Sequence, residues 1–304
     1  MMTLEQILED IKSPRVKKCI LDSDMYNEVD DQYAFAYCLA SDKVDLLSVN
    51  AAPFHNEKSS SFEDGMYKSF DETMHILDLC NMSLPVYKGA TKRISDNKDH
   101  LPVDSEGARN IIKTVKESDE IVYVMSIGTC VDVVSAYLLD PSIAENMCVI
   151  WLGGTCLDHP HASEFNLCQD FKASQLLFDL DIPLVMVPCS DHGAKELVAF
   201  KHDLDAHIKG DRKAQVFFRD EFPLYSINEP SYEGYGEWNR ILWDVSVPGI
   251  ITVPSAYELN IIPAPILADS YKYEFDDSRR KIIYMEKLNR EVILKDCFEN
   301  ISKL

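Results

Sequence analysis

The sequence predicts an α/β fold, a mostly parallel central sheet flanked by helices, and three observations carry that prediction. Short apolar runs alternate with segments of helical period along most of the chain. No internal repeat, low-complexity tract or long linker interrupts the alternation. The polar clusters with chemical potential fall at the carboxyl ends of the apolar runs, where ligands bind in sheets of this kind.

The first run, "KCILDSD" (18–24), reads as a buried strand, and a helix-like stretch follows over 29–41. "VDLLSVNAAP" (44–53) is the second strand, with helices expected over 64–80 and 105–117. "IVYVMSIG" (121–128) and "MCVIWLGG" (147–154) bracket a helix at 130–139. A helix at 168–180 leads to "IPLVMVPCS" (182–190), and helix or loop is expected over roughly 193–250. The tail "DSYKYEFDDSRRKIIYMEKLNREVILKDCF" alternates like a closing hairpin or small antiparallel appendage. Because α/β folds run long as one unit, the chain reads as a single domain, 1–304.

A formal net charge of −21 argues against nucleic acid or an anionic membrane as partner, since both need basic surface. No apolar run approaches membrane-spanning length. The nine cysteines form no C-x-x-C pair, and the opening "MMTLEQILEDIKSPRVKK" lacks the apolar stretch of a signal peptide. A reducing, cytoplasmic setting is the expectation.

The most informative stretch is "LDSDMYNEVDD" (21–31), with five carboxylates in eleven residues. Like charges this close repel, and each costs solvation when covered. Asn27 reads as an N-cap with Asp30 three residues on, but a helix dipole favours each nearby anion by only about 0.3–1 kcal/mol. A hard divalent cation such as Ca²⁺, which gathers six to eight oxygens, accounts for the crowding better; a solvated acidic turn is the other reading.

"DSDMYNEVDD" resembles the Asp-rich signature of the nucleoside hydrolases, calcium-dependent N-ribohydrolases. The resemblance continues in order through "SIGTCVDVVSAYLLDP" (126–141), "VIWLGGTCLDHPHASEFNLCQDFKAS" (149–174) and "LWDVSVPGIITVP" (242–254). It implies a nucleoside hydrolase-like fold with a Rossmann-like core, acting on small-molecule nucleosides in nucleoside catabolism and purine salvage, as a homodimer or homotetramer. It further implies that Asp24, Asp31, Asp244 and the main-chain carbonyl of Ile127 bind Ca²⁺, with Asp24 deprotonating a water held there. Asp30 would meet the ribose hydroxyls, Glu164 and Asn166 the 5′ side of the sugar, and Asn56 the ribose after the second strand, with His55 the alternative.

Three departures from the family pattern bear on the site. The loop "MYNEV" (25–29) is two residues longer than usual and lacks glycine, so Tyr26 or Glu28 would approach the sugar or metal. The family's Thr-Asn is Val131-Asp132 here. Trp243 stands where many members carry a His that protonates the leaving base; an indole cannot do so but can stack on a base, which favours purines, or simply fill the core.

Other constellations weigh less. His159-x-His161 suits a transition metal, but its surroundings are oxygen-rich. The aromatic tract 221–238, with Tyr225, Tyr232, Tyr235 and Trp238, reads as a lid over the base or as a surface excursion. Two competing functions remain: a calcium-dependent sugar- or nucleoside-binding protein without turnover, and a phosphatase with Asp22 as nucleophile.

Overall fold

The computed structural model describes residues 2–225 and 238–304. Its centre is one eight-stranded sheet. The strands in chain order are β1 (Lys17–Ser23), β2 (Val44–Ala51), β3 (Val86–Lys88), β4 (Val122–Ser126), β5 (Met147–Leu152), β6 (Leu184–Val187), β7 (Val198–Phe200), β8 (Asn239–Ile241), β9 (Tyr257–Pro263), β10 (Ile266–Ala268), β11 (Lys272–Glu274) and β12 (Lys281–Leu288). The sheet order is β3-β2-β1-β4-β5-β6-β12-β9. Every neighbouring pair is parallel except β12 with β9.

The strands bury both faces because their alternate residues feed two cores. Cys19 and Leu21 of β1, Tyr123 and Met125 of β4 and Ile150 of β5 join one core with the helices Asp30–Ala40, Ser246–Thr252 and Arg290–Ile301. Ile20, Val122, Val124, Val149 and Trp151 join the other, against the helices Glu106–Glu117, Val131–Leu139 and Phe171–Asp179. The helix Phe62–Leu79 packs so tightly that a Cβ on Gly65 would lie 1.9 Å from the carbonyl oxygen of Phe54, so only glycine permits that approach.

The fold class stands as expected, while four local expectations are corrected. The tail is not wholly a peripheral hairpin. β11 does pair with β10 as a small antiparallel unit, but β12 enters the main sheet beside β6 and a helix, Arg290–Ile301, closes the chain. The alternating apolar residues of β12 (Ile283, Met285) supply a core face, which placed it inside the sheet. The helix expected over 168–180 is two, Phe165–Gln169 and Phe171–Asp179, broken at Asp170. The region read as helix or loop contains the antiparallel pair β7–β8. Asn27 does not cap the second helix: Val29 precedes its first residue, Asp30, and offers no side-chain cap. Among the described residues no helix is long and apolar enough to cross a membrane.

Candidate active site

The strand order reverses between β1 and β4, so their carboxyl ends open side by side at the switch point that favours ligand binding in α/β sheets. Asp24 follows β1, Ile127 follows β4, Leu152 ends β5, and Cys189 lies just beyond β6. Asp30 and Asp31 open the next helix, and Glu164 precedes the short helix that begins with Phe165 and Asn166. Trp243 and Asp244 return from far along the chain in a single 3₁₀ turn. All of these, with Asn27 and Glu28, line one cavity of about 220 Å³.

Three carboxylates are tightly gathered. Asp30, Asp31 and Asp244 are buried and offer oxygens within 4.8 Å of one another. The Asp244 amide donates to Asp30 Oδ2 at 3.2 Å, which docks the returning turn on the helix start. Ser23 Oγ donates to Asp31 Oδ1 at 2.5 Å. Asp24, 1% exposed, lines the same cavity, and its Oδ2 has no hydrogen-bond partner. A Cβ on Gly128 would sit 3.1 Å from Asp24 Oδ1, so the glycine leaves that carboxylate room.

The electrostatics follow from this crowding. Burial first, then repulsion from Asp31 and Asp30, holds Asp24 well above the ordinary carboxylate range. Asp244 is raised by burial and by Asp30, Asp31 and Asp24, and Asp30 by burial, Glu28 and Asp31. Asp31 is pushed up to about 7 by burial, with Ser23 pulling back. An orphaned buried carboxylate oxygen, mutual repulsion and an all-oxygen donor set are what a hard divalent cation satisfies, so these residues fit such an ion. The tightest trio includes Asp30 where the sequence reading chose Asp24; Asp24 sits in the same cavity outside the trio.

Asn166 donates through Nδ2 to the carbonyls of Ile127 at 2.9 Å and Leu152 at 3.1 Å, tying the ends of β4 and β5 together. Each carbonyl keeps a second lone pair. Glu164 caps the Phe165 helix, accepting from the amides of Asn166 at 2.9 Å, Leu167 at 3.1 Å and Gly154 at 2.8 Å. Burial raises its pKa and those three amides draw it back. Three N–H donors favour the anion, against the burial that leaves its pKa raised.

The loop 25–29 reaches the cavity through Asn27 and Glu28. Glu28 lines the cavity, whereas Tyr26 is 41% exposed and does not line it. Asn27 Oδ1 accepts from Asn56 Nδ2 at 2.7 Å, and Lys58 Nζ donates to the Asn27 carbonyl at 2.6 Å. Asn56 thus stands behind Asn27 and does not line the cavity. His55 is exposed and does not line it either; Gln169 holds its backbone through both N and O. Asp22 is fully buried, with Ser126 Oγ donating to its Oδ2 at 3.3 Å, and cannot reach a substrate as a nucleophile. His159 and His161 contact each other edge to face, and neither joins a metal-grade cluster among the described residues.

Phe165, Leu152 and Cys189 also line the cavity, and sequence reasoning did not single them out. Their one signal was position, each near the carboxyl end of a strand or in the "EFN" triplet. Of the aromatic tract, Tyr232 and Tyr235 lie outside the described residues, and Trp238 is half-buried against the core.

The chain matches the family model described as inosine-uridine preferring nucleoside hydrolase over residues 19–237. Solved structures that share its fold include the following three. An inosine-guanosine nucleoside hydrolase superposes with a TM-score of 0.73 at 15% identity, covering 94% of this chain and 98% of the other. A purine-preferring ribonucleoside hydrolase from Gardnerella vaginalis gives 0.70 at 18% identity, covering 94% and 98%. An inosine-uridine preferring nucleoside hydrolase from Bacillus anthracis gives 0.66 at 17%, covering 95% and 100%. No curated protein matches the sequence.

Proposed function

Because the chain belongs to the inosine-uridine preferring nucleoside hydrolase family, whose members are nucleoside N-ribohydrolases, we propose that it hydrolyses ribonucleosides to ribose and free base at the cavity beyond β1 and β4. The observation that carries this reading is the buried trio Asp30, Asp31 and Asp244 beside the unpartnered oxygen of Asp24. Ca²⁺ is the ion proposed, held by Asp24, Asp31, Asp244 and the Ile127 carbonyl. When bound, it supplies positive charge that fixes ribose hydroxyls and makes a nearby water more acidic.

The chain's own residues do the rest. Asp24 takes the proton of the attacking water, a role suited to a carboxylate whose free oxygen faces no other donor. Asp30 meets the sugar hydroxyls beside C1′. Asn166 holds the Ile127 carbonyl in place and Glu164 fixes the turn that carries it. As the C1′–N bond opens, positive charge grows on the ring, and surrounding carboxylates stabilise it more than the ground state. Trp243, half-buried at the cavity, offers a stacking face, and purines are the bases it favours.

The test is sugar release from a panel of purine and pyrimidine ribonucleosides with calcium present. Release that drops to background in Asp31→Ala is expected, with purines cleaved fastest. Folded, calcium-loaded protein that binds ribose tightly yet turns over no nucleoside would establish the binding-protein reading instead.

A further inference from the structure

The cavity holds six carboxylates, those of Asp24, Glu28, Asp30, Asp31, Glu164 and Asp244. Among the described residues none of its lining side chains is a His, Lys or Arg. A divalent ion balances two of those charges, which leaves the pocket a strong attractor of cations. The same census bears on the leaving base. A neutral nucleoside expels its base as an anion unless a group protonates it, and among the described residues no histidine or lysine lines the cavity. Glu164 accepts three amide donors, and Asp30, Asp31 and Asp244 face one another at the ion end. What the lining does offer are two aromatic side chains, Trp243 and Phe165, and the carboxylate of Glu28 from the loop 25–29. Aromatic faces, Trp above all, attract cations.

We propose that the preferred substrates are N-ribosides whose base carries a fixed positive charge on a quaternised ring nitrogen, such as N7-alkylated purine or pyridinium ribosides. This rests on the nucleoside hydrolase reading and narrows its substrate class. The chemistry balances without an acid. The C1′–N electron pair passes to the ring nitrogen and cancels its charge, so the base departs neutral. Water adds its oxygen to C1′ and gives one proton to Asp24 and then to solvent. The carboxylate-rich wall attracts the charged base on entry and has nothing to hold once the base is neutral, so product leaves readily.

The experiment compares 7-methylguanosine with guanosine on the calcium-loaded protein, on the acid side of neutrality where 7-methylguanosine keeps its N1 proton and its net positive charge. A kcat/KM at least about a hundredfold higher for 7-methylguanosine is expected, since protonation of the leaving group contributes about 10²–10⁴ where an enzyme uses it. In Asp24→Asn, calorimetry should find 7-methylguanosine bound about tenfold more tightly than guanosine, the scale of a desolvated cation–π contact together with a nearby carboxylate. Glu28→Gln should cut the selectivity ratio about fivefold, as expected for one partly screened charge. Equal or faster cleavage of guanosine, or equal affinities, would overturn the inference and leave the hydrolase intact. No sugar release from either compound, or from any nucleoside in the panel, would overturn the hydrolase reading and this inference together.

Discussion

At the residue scale, the carboxylates of the site make folding and ion binding one problem. Asp31 is raised to about 7, and Asp24, Asp30 and Asp244 are raised as well. For an acid with a raised folded pKa, the folded state holds the proton longer than the unfolded state. Stability is therefore greatest below the unfolded value and is lost as pH climbs toward the folded one. Chelator-treated protein should lose thermal stability between about pH 4 and pH 7, and calcium should restore it, more at pH 7.5 than at pH 5. At a hundredfold excess over Kd the restoration is about 2.7 kcal/mol. Scanning calorimetry with and without chelator at the two pH values checks this, and an equal calcium effect at both would refute it. Asn166 gives a second prediction, because its amide serves two buried carbonyls. Asn166→Ala should cost about 1–3 kcal/mol in denaturant unfolding and weaken calcium binding, since the Ile127 carbonyl loses its guide.

At the element scale, short helices are held by single residues rather than by their own length. Asp170 separates two helices and caps the second, accepting from Ala173 N at 3.2 Å. It also accepts from Ile94 N at 2.6 Å, Ser95 N at 3.2 Å and Ser95 Oγ at 2.5 Å, which pins a distant turn to the helix start. Asp170→Ala should destabilise by about 2 kcal/mol or more, combining a lost cap with stranded buried donors. Calcium affinity should hold, because Asp170 does not line the cavity. A loss of stability below about 0.5 kcal/mol would show that the other caps suffice. The chain breaks its helix at this position because Asp170 takes a non-helical backbone (φ −142°, ψ 87°) that lets its carboxylate cap the new helix. Helical periodicity runs through 168–180 without signalling that break.

At the scale of the whole molecule, the sheet decides which distant residues meet. Reversal of strand order at β1 and β4 brings Asp24 beside Ile127, and the turn that carries Asp244 docks on Asp30 across 214 positions of sequence. The net charge of −21 acts on the same scale, as repulsion across the surface. Raising sodium chloride from about 10 mM to about 150 mM shortens the Debye length from about 30 Å to about 8 Å. Chelator-treated protein should then melt a few degrees higher, about 1 kcal/mol of relief. An unchanged or lower melting temperature would mean that opposite charges already screen one another locally.

The sequence by itself determined the parallel α/β class, the strands at whose ends the carboxylates gather and the oxygen-rich character of that cluster. It could do so because apolar periodicity and a run of carboxylates are local properties, legible wherever they occur in the chain. The order of Asp24, Asp30, Asp31, Glu164, Asn166 and Asp244 along it was legible for the same reason. Only the tertiary structure decided that Asn27 serves Asn56 and the cavity rather than a helix end, that β12 joins the main sheet, that Glu28 rather than Tyr26 lines the cavity, and that Phe165 and Cys189 join it there. Those outcomes depend on where a loop lands and which edge a strand finds free. Such choices are settled by contacts between segments far apart in sequence, and no local pattern encodes them.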